Sequence, residues 1–317
     1  MHGKKECAKL RFEHSDNNKR YYTYDYYNRH TFGRRMFKIP ISIDVTCPNR
    51  DGSKGYGGCA FCSDTGSGNG MAHLSVTEQI ERERKVLASK GRVGGEIAYF
   101  QSFTNTYGDR EYLKNAYYEA LDAGVDGIII ATRADAIDEE IIGILEELND
   151  ETYLVIELGL QSINENTLTR MNRCESTADF ERGYYMLREH SIKIGVHIID
   201  LLPYETYEDM MSTARYVADI HPELVKIHAL HILEGTPLGE LYRREQFPLM
   251  TREEYIRIVC DQLEILPPDI VIERLTGDGA RGRVLAPLWT TDKLKNLNGI
   301  DLEMARRDSV QGLRYTK

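Results

Sequence analysis

The chain has 317 residues with a formal net charge of −10, and 41% of its residues are hydrophobic. This length can hold one large domain or two small ones, and the acidic balance excludes a surface coated in basic side chains. Residues 1–10 are charged and lack the apolar core of a signal peptide, and no long apolar stretch follows that could span a bilayer. We therefore expect a cytoplasmic protein without a membrane partner.

The two ends of the chain are more basic than the rest. Residues 1–40 carry ten Lys or Arg against four Asp or Glu, and residues 281–317 carry eight against four. Within 20–36, tyrosines alternate with basic side chains, which suits either stacking on RNA bases or a lid packed on the core. Charge alone favours solvated termini over a nucleic-acid patch, and the aromatic segment leaves both interpretations open.

After residue 37, segments with strand-like and helical patterns alternate along the chain. The sequence predicts strands at 38–45, 96–100, 127–131, 152–158, 193–199, 224–230 and 270–274, and helices at 76–89, 111–123, 138–148, 177–189, 207–220, 238–244 and 252–266. Such alternation is typical of a parallel sheet with crossover helices. Even spacing favours a complete or partial barrel, with the active site at the carboxyl ends of the strands.

One main domain is the simplest division of this pattern. We expect a basic aromatic N-terminal arm at 1–37, a core barrel at 38–235 and a C-terminal extension at 236–317 that closes the barrel. Residues 66–70 contain three glycines, but their spacing and position do not match a dinucleotide-binding turn. This lowers the case for a doubly wound nucleotide-binding fold.

Three of the six cysteines, Cys47, Cys59 and Cys62, lie in one glycine-rich loop directly after the first predicted strand. Clustered thiols in a large chain indicate a metal site, because a disulfide framework would need an even set in a small secreted domain. A zinc site needs a fourth ligand, which His73 could supply. Alternatively, three thiolates hold a [4Fe–4S] cluster and leave one iron open, with Phe61 shielding the cluster from water. The spacing favours iron–sulfur over zinc.

Every predicted strand is followed by polar side chains, which is more than a structural barrel needs. These side chains include Gln101, Ser102, Arg133, Glu157, Gln161, Ser162, His197, Glu205, His228, Glu273 and Asp278. For any one of them a hydrogen bond within the core is the simpler explanation. Their concentration at one end of the predicted barrel indicates a ligand site.

The cysteine loop resembles the cluster motif of the radical SAM superfamily in a long-spaced form, Cys-x11-Cys-x2-Cys. Within that superfamily, the chain is similar to the YhcC/YtqA-type family, which is related to the Elongator catalytic subunit. The matching runs are 42–44, 46–52, 57–62, 99–101, 104–107, 157–162, 274–279 and 286–289, with Lys293 beyond them. The resemblance therefore covers most of the chain.

The resemblance implies a partial (β/α)6 barrel of the α/β class, with a [4Fe–4S] cluster on Cys47, Cys59 and Cys62. It implies S-adenosylmethionine (SAM) on the open iron, cleaved with an electron from a donor such as flavodoxin or ferredoxin to yield a 5′-deoxyadenosyl radical. By position it assigns SAM contacts to Gln101 and Ser102 (amino group), Gln161, Ser162 and His197 (ribose), Arg173 (carboxylate) and the backbone around His228 (adenine).

The chain departs from the family pattern at three places. Leu201 and Tyr204 replace the glycines of a Gly-Leu-Pro-Gly-Glu run, and we expect this to narrow that wall of the pocket. Cys174 and Glu175 follow Arg173 where Gly-His is usual, and Glu273 occupies a position that is commonly His. These changes bear on the substrate more than on SAM.

The Elongator relation implies a tRNA partner, with modification of the 5-substituent of the wobble uridine, such as trimming carboxymethylaminomethyl to aminomethyl. No acetyltransferase domain is visible after the barrel, so we do not expect Elongator's own carboxymethylation. Glu273, Asp278 and Lys293 are the predicted residues on the substrate side. Two alternatives remain open: a radical SAM enzyme for a small metabolite or peptide, and a zinc-stabilised RNA-binding adaptor.

Overall fold

A curled sheet of seven parallel strands forms the centre of the computed structural model, which describes residues 12–64, 66, 70–277, 279 and 282–316. The strands are β1 Met36–Ile41, β2 Gly95–Phe100, β3 Gly127–Thr132, β4 Tyr153–Gln161, β5 Lys193–Asp200, β6 Leu224–Ala229, β7 Ile232–Leu233, β8 Val271–Arg274 and β9 Val284–Ala286. The order across the sheet is β1-β2-β3-β4-β5-β6-β8, and β7 pairs separately with β9. All neighbours within the large sheet are parallel.

Most of the helices connect the strands and pack on the outer face of the sheet. They are α1 Tyr24–Phe32, α2 Val76–Ser89, α3 Arg110–Asp122, α4 Glu139–Glu151, α5 Glu165–Arg170, α6 Thr177–Glu189, α7 Tyr207–Ile220, α8 Pro237–Glu245, α9 Arg252–Ile265 and α10 Lys293–Arg306, with short 3-10 helices at Ala134–Ala136 and Leu288–Thr291. Among the helices of the described residues, none is both long and apolar enough to cross a bilayer.

The sheet curls so far that its two edge strands approach each other on the inner face. Lys38 Nζ on β1 lies 2.5 Å from Glu273 Oε1 on β8, although these strands are at opposite ends of the strand order. Such a contact requires a sheet that wraps around an interior. The predicted fold class, a partial (β/α)6 barrel, is therefore confirmed.

Alternate residues along each strand face the helices or the interior of the barrel. Outward side chains such as Ile39, Ile128 and Ile156 form the main core with apolar residues of the surrounding helices. The inward side chains at the amino ends form a second apolar layer of Met36, Ile97, Ile129, Val155, Leu224 and Val271.

Helix α1 covers this inner apolar layer. Its Tyr24, Tyr27 and Phe32 pack against the layer, and Tyr153 Oη donates to Tyr27 Oη at 3.2 Å. Thr23 caps the start of the helix. Of the two interpretations of the tyrosine-rich segment, the lid packed on the core is the one observed for these three side chains. The arm thus closes the amino end of the barrel.

The first strand ends earlier than the predicted 38–45. The side chain of Gln79 on α2 takes the place of a strand neighbour at Ser42, accepting from its N–H at 2.9 Å and donating to its carbonyl at 2.8 Å. Because both backbone groups of Ser42 are satisfied in this way, the chain can leave the sheet after Ile41. It then enters the cysteine loop.

Candidate active site

A cavity of about 630 Å³ opens inside the barrel at the carboxyl ends of the strands. Cys47, Cys59 and Cys62 form part of its wall. The strands contribute further lining side chains: Tyr99 from β2, Glu157 and Gln161 from β4, His197 from β5, Lys226 and His228 from β6, and Arg274 from β8. The convergence predicted for the strand ends is therefore observed.

The cysteine loop is held by its own turns. Cys47 O accepts from Arg50 N at 2.7 Å, and Cys59 O accepts from Cys62 N at 2.9 Å. Gly57 and Gly58 adopt φ values of 78° and 77°, which L side chains rarely do. No three His, Cys, Asp or Glu side chains of the described residues surround one point closely enough to hold a single metal ion.

Buried Arg173 fixes the loop against the barrel wall. Its Nη1 approaches Cys59 Sγ at 3.8 Å, its Nη2 donates to the Gly159 carbonyl at 2.5 Å, and it forms an ion pair with Glu175. Arg133 donates to the backbone carbonyl of Arg173 at 2.9 Å and makes a bidentate ion pair with Asp135. Charged hydrogen bonds of this kind are strong, and here they hold the cysteine loop against the barrel wall.

The opposite wall carries two neutral histidines. Burial, with the nearby Lys226 ammonium, lowers the pKa of His197 to about 3, and burial beside His197 holds the pKa of His228 well below its usual value. Their rings lie 4.1 Å apart, and neither Nε2 atom has a hydrogen-bond partner within the described parts of the chain. Both side chains therefore offer a free ring nitrogen to a ligand.

Between these walls and the apolar layer lies a buried charged floor, made of Lys38, Tyr99, Glu157, Lys226 and Glu273. Lys226 Nζ lies 2.5 Å from Glu157 Oε2, 2.8 Å from Glu273 Oε1 and 3.0 Å from Tyr99 Oη. Lys38 Nζ bridges the same two carboxylates at 3.0 and 2.5 Å. Burial opposes ionisation of Glu157, but the two ammonium groups outweigh it and hold its pKa well below the usual range.

Sequence reasoning missed Lys38 as a member of this site. A sign was present, because Lys38 and Glu157 each stand between apolar residues of a strand, and Lys226 and Glu273 directly follow apolar residues in theirs. A charge within such a strand indicates a paired interior position.

Several predicted site residues do not line the cavity. Ser102 Oγ contacts Ser42 Oγ at 2.7 Å behind the sheet end, and Ser162 Oγ donates to Glu205 Oε1 at 2.5 Å. Glu273 lies in the charged floor, Lys293 is the first residue of α10, and neither is a lining residue. Asp278 lies outside the described residues. Gln101, Gln161, Arg173, His197 and His228 do line the cavity.

The two residues that replace the family's glycines do not line the large cavity. Leu201 and Tyr204 keep left-handed φ values of 69° and 71°, and they line a separate cavity of about 40 Å³ beside Glu205. The expected narrowing therefore does not affect the large cavity. Burial raises the pKa values of Glu205 and of the neighbouring Asp200 to about 7.

Residues 46–217 match the sequence profile described as the radical SAM superfamily, and residues 222–306 match the radical SAM C-terminal domain. The first match alone spans more than half of the chain. The chain belongs to the radical SAM superfamily. The predicted family membership and the prediction of an enzyme are thereby confirmed, and the zinc-stabilised adaptor is not retained.

Two bacterial relatives align with nearly the whole length of this radical SAM protein. It is 40% identical to the uncharacterized protein YtqA of Bacillus subtilis over 304 residues, covering 95% of this chain and 94% of that protein. It is 28% identical to the protein YhcC of Escherichia coli over 284 residues, 89% and 91% of the two chains. These matches bear out the resemblance to the YhcC/YtqA-type family.

Two further similarities concern Elongator-type proteins. A tRNA uridine(34) acetyltransferase of Methanocaldococcus infernus is 27% identical over 154 residues, which is 48% of this chain and 28% of that protein. The structure of the archaeal Methanocaldococcus infernus Elp3 superposes with a TM-score of 0.68 at 18% identity, covering 87% of this chain and 64% of that one. The second similarity supports the fold alone.

A radical SAM enzyme uses a [4Fe–4S] cluster and SAM, and the predicted cofactors are thereby confirmed. The residues present fit both groups. Three free thiols line one end of the cavity, and beside them Gln161 Oε1, Arg173 Nε and the two histidine Nε2 atoms are buried without a partner in the described chain. Buried polar atoms are normally hydrogen-bonded, so this set suits a polar ligand.

Proposed function

We propose that this radical SAM enzyme modifies the 5-substituent of the wobble uridine of tRNA in the cytoplasm. The observation that carries the proposal is the similarity to tRNA uridine(34) acetyltransferases over 48% of the chain. This chain spans only 28% of that relative. We therefore propose the same nucleoside, uridine 34 of tRNA, as the substrate, but not the acetyl transfer reaction.

Cys47, Cys59 and Cys62 would hold the cluster, with Arg173 and Asn49 donating toward Cys59 Sγ. Such donors stabilise thiolate charge and orient the sulfur. When bound, the cluster and SAM supply a hydrogen-abstracting radical after one-electron reduction by a donor such as flavodoxin or ferredoxin. The enclosing barrel would keep water away from that chemistry.

The remaining lining residues divide between the two ligands. Gln101, Gln161, His197 and His228 would bind polar groups of SAM, and Arg173 Nε is available to its carboxylate. The two histidines remain uncharged at neutral pH because burial lowers their pKa values. They therefore act as hydrogen-bonding groups and do not add positive charge beside the SAM sulfonium. Ser102 and Ser162 would support these residues from behind.

The charged floor would set the depth to which the substrate enters. Glu273 belongs to this layer. Lys293 and Asp278 remain proposed as substrate-side residues.

Nucleoside analysis of tRNA from a deletion strain tests the substrate. We expect one 5-substituted uridine to be lost and its precursor to accumulate, and complementation to restore the product. An unchanged nucleoside profile would reject tRNA and leave a small metabolite or peptide as the substrate.

Cysteine variants test the cluster ligands separately. Anaerobically purified Cys59→Ser protein should lose most of its iron and form no 5′-deoxyadenosine from SAM. Cys174→Ser is the matched control, because Cys174 is exposed and lies next to the loop, where a Cβ at Gly55 would come within 2.8 Å of its Sγ. Equal iron loss in both variants would contradict the ligand assignment.

A further inference from the structure

The guanidinium group of Arg173 is held at one end and open at the other. Its Nη1 lies 3.8 Å from Cys59 Sγ, and its Nη2 donates to the Gly159 carbonyl at 2.5 Å and pairs with the Glu175 carboxylate. Its Nε is buried and has no hydrogen-bond partner among the described residues, although Arg173 lines the large cavity. An unpartnered buried donor of this kind suits a ligand that accepts a hydrogen bond.

Glu175 is the charged partner that holds Arg173 in this orientation. The Glu175 side chain is 3% exposed, and its Oε2 pairs with Arg173 Nη2. Its Oε1 accepts from the backbone N–H of Asp135, in the short 3-10 helix after β3, at 3.1 Å. Because the carboxylate is anchored to the backbone through one oxygen, the other oxygen gives Arg173 Nη2 a defined position.

The charges around Glu175 connect the cysteine loop to the cavity wall. Lys54, within the loop, pairs with Asp135 at 2.7 Å, and Arg133 donates to both oxygens of Asp135 at 2.8 Å. Arg133 Nη2 also lies 3.9 Å from Glu175 Oε2, the oxygen that pairs with Arg173. A single carboxylate oxygen is therefore shared between two buried guanidinium groups.

The charge of Glu175 depends on the same two guanidinium groups. Burial raises the pKa of the Glu175 carboxyl group, whereas Arg173 and Arg133 lower it. Burial also opposes ionisation of Asp135, but Arg133 and Lys54 outweigh it and lower the pKa of Asp135. Since a buried charge without its partner is costly, these groups form one unit in which a change to one member disturbs the others.

Arg173 connects the two cofactor sites, because its Nη1 approaches a cluster ligand and its Nε is available to SAM. We propose that Glu175 is a positioning residue, which orients Arg173 toward the SAM carboxylate and offsets the positive charge that Arg173 places beside Cys59. Hydrogen bonds and net charge near cluster sulfurs set the reduction potential of a cluster. Glu175 would therefore influence two measurable properties, the affinity for SAM and the reduction potential.

This inference rests on the proposed contact between Arg173 and the SAM carboxylate, but not on tRNA as the substrate. Its two parts depend on different properties of Glu175. The reduction potential depends on the negative charge, which Glu175→Asp retains and Glu175→Gln removes. The orientation of Arg173 depends on the reach of the side chain, which Glu175→Asp shortens by a methylene group. The two variants therefore separate charge from geometry.

The test compares Glu175→Gln, Glu175→Asp and Arg173→Gln with the wild type and with Glu147→Gln. Glu147 is the matched control, because it is exposed on α4 and pairs with Lys114 of α3. Anaerobic calorimetric titrations of each holoenzyme use SAM and decarboxylated SAM as probes, and the ratio of their dissociation constants reports the carboxylate contact. A redox titration without SAM, followed by electron paramagnetic resonance, gives the midpoint potential of the cluster. Iron content and melting temperature show whether each variant is folded and loaded.

In Glu175→Gln, the preference for SAM over decarboxylated SAM should fall about tenfold, since hydrogen bonds to charged groups are strong and Arg173 loses its fixed position. The midpoint potential should rise, because the positive charge of Arg173 is no longer offset. A preference or a potential equal to that of Glu147→Gln would overturn the inference. If Glu175→Gln does not bind iron, Glu175→Asp decides: a lowered preference with the wild-type potential supports the inference, and any other result overturns it.

The Arg173→Gln titration separates this inference from the contact on which it rests. If Arg173→Gln lowers the preference for SAM and Glu175→Gln does not, the proposed contact stands and the role of Glu175 is rejected. If Arg173→Gln keeps the wild-type preference, both are rejected. The substrate is tested independently, by the nucleoside profile of the deletion strain.

Discussion

The charged floor gives a sharp prediction for a double-mutant cycle. In Lys226→Met, the Glu157 and Glu273 carboxylates, whose side chains are 5% and 4% exposed, would face Lys38 as the one remaining ammonium of the floor. Breaking a buried ion pair by removing one partner costs about 3–5 kcal/mol, because a charge is left uncompensated. We expect a loss of that size in the free energy of unfolding.

When Glu157→Gln is added to Lys226→Met, the floor keeps one positive and one negative charge. These are Lys38 and Glu273, whose Nζ and Oε1 atoms lie 2.5 Å apart. The double variant should therefore recover about 2 kcal/mol or more relative to the sum of the two single losses, a coupling typical of groups in one network. The assay is urea unfolding followed by far-UV circular dichroism on anaerobic protein of equal iron content. Strictly additive losses would refute the idea that the floor acts as one balanced unit.

Three further predictions concern single positions. Asp200→Asn removes an ionisable group. Burial raises the pKa of Asp200 to about 7 from an ordinary 3.8. The stabilising contribution of this carboxyl group is therefore full at low pH and is lost as the pH rises through 7. In unfolding titrations, the free energy of unfolding of the variant relative to that of the wild type should therefore rise by about 2–3 kcal/mol between pH 5 and pH 8. Parallel curves of unfolding free energy against pH for the two proteins would contradict this prediction. Gln246→Gly should raise the unfolding free energy by about 1 kcal/mol, since Gln246 ends α8 at φ 44°, and a lower melting temperature would count against it. Gly55→Ala places a Cβ 2.4 Å from Asn49 Oδ1 and should lower iron content, whereas Gly143→Ala on α4 meets no atom within 4 Å, needs no left-handed backbone and should retain iron. Equal iron in both would show that the loop accommodates the added methyl group.

Element positions were predictable wherever the determining interactions are local. The predicted bounds of α6 and α7 agree with the structure, because the capping boxes that begin them, Ser176 with Asp179 and Thr206 with Asp209, are visible in the sequence. The strands were predictable from their apolar runs between turns. In contrast, α1 was missed, because its tyrosines form a helix against an apolar layer assembled from strands far along the chain.

The same distinction holds in the site. The cysteine spacing is a local pattern and led directly to the cluster motif. The charged floor joins Lys38 to Glu157 and Glu273, which are 119 and 235 residues away, and no local pattern shows that these side chains meet. Ser102 and Ser162 illustrate the reverse problem, since each neighbours a lining residue but points to the other face of its strand end.

The sheet is curled but not closed by hydrogen bonds, and this affects how the chain avoids self-association. An uncovered strand edge is a template for pairing with another molecule. The β1 edge carries Pro40, which has no N–H to donate, and on β8 the N–H of Ile272 is taken by the Tyr22 carbonyl at 2.7 Å. The segment before α1 therefore guards an edge while α1 covers the apolar layer. A shortened protein beginning after Gly33 would expose both surfaces together, and aggregation of such a fragment would reflect lost protection rather than a misfolded barrel.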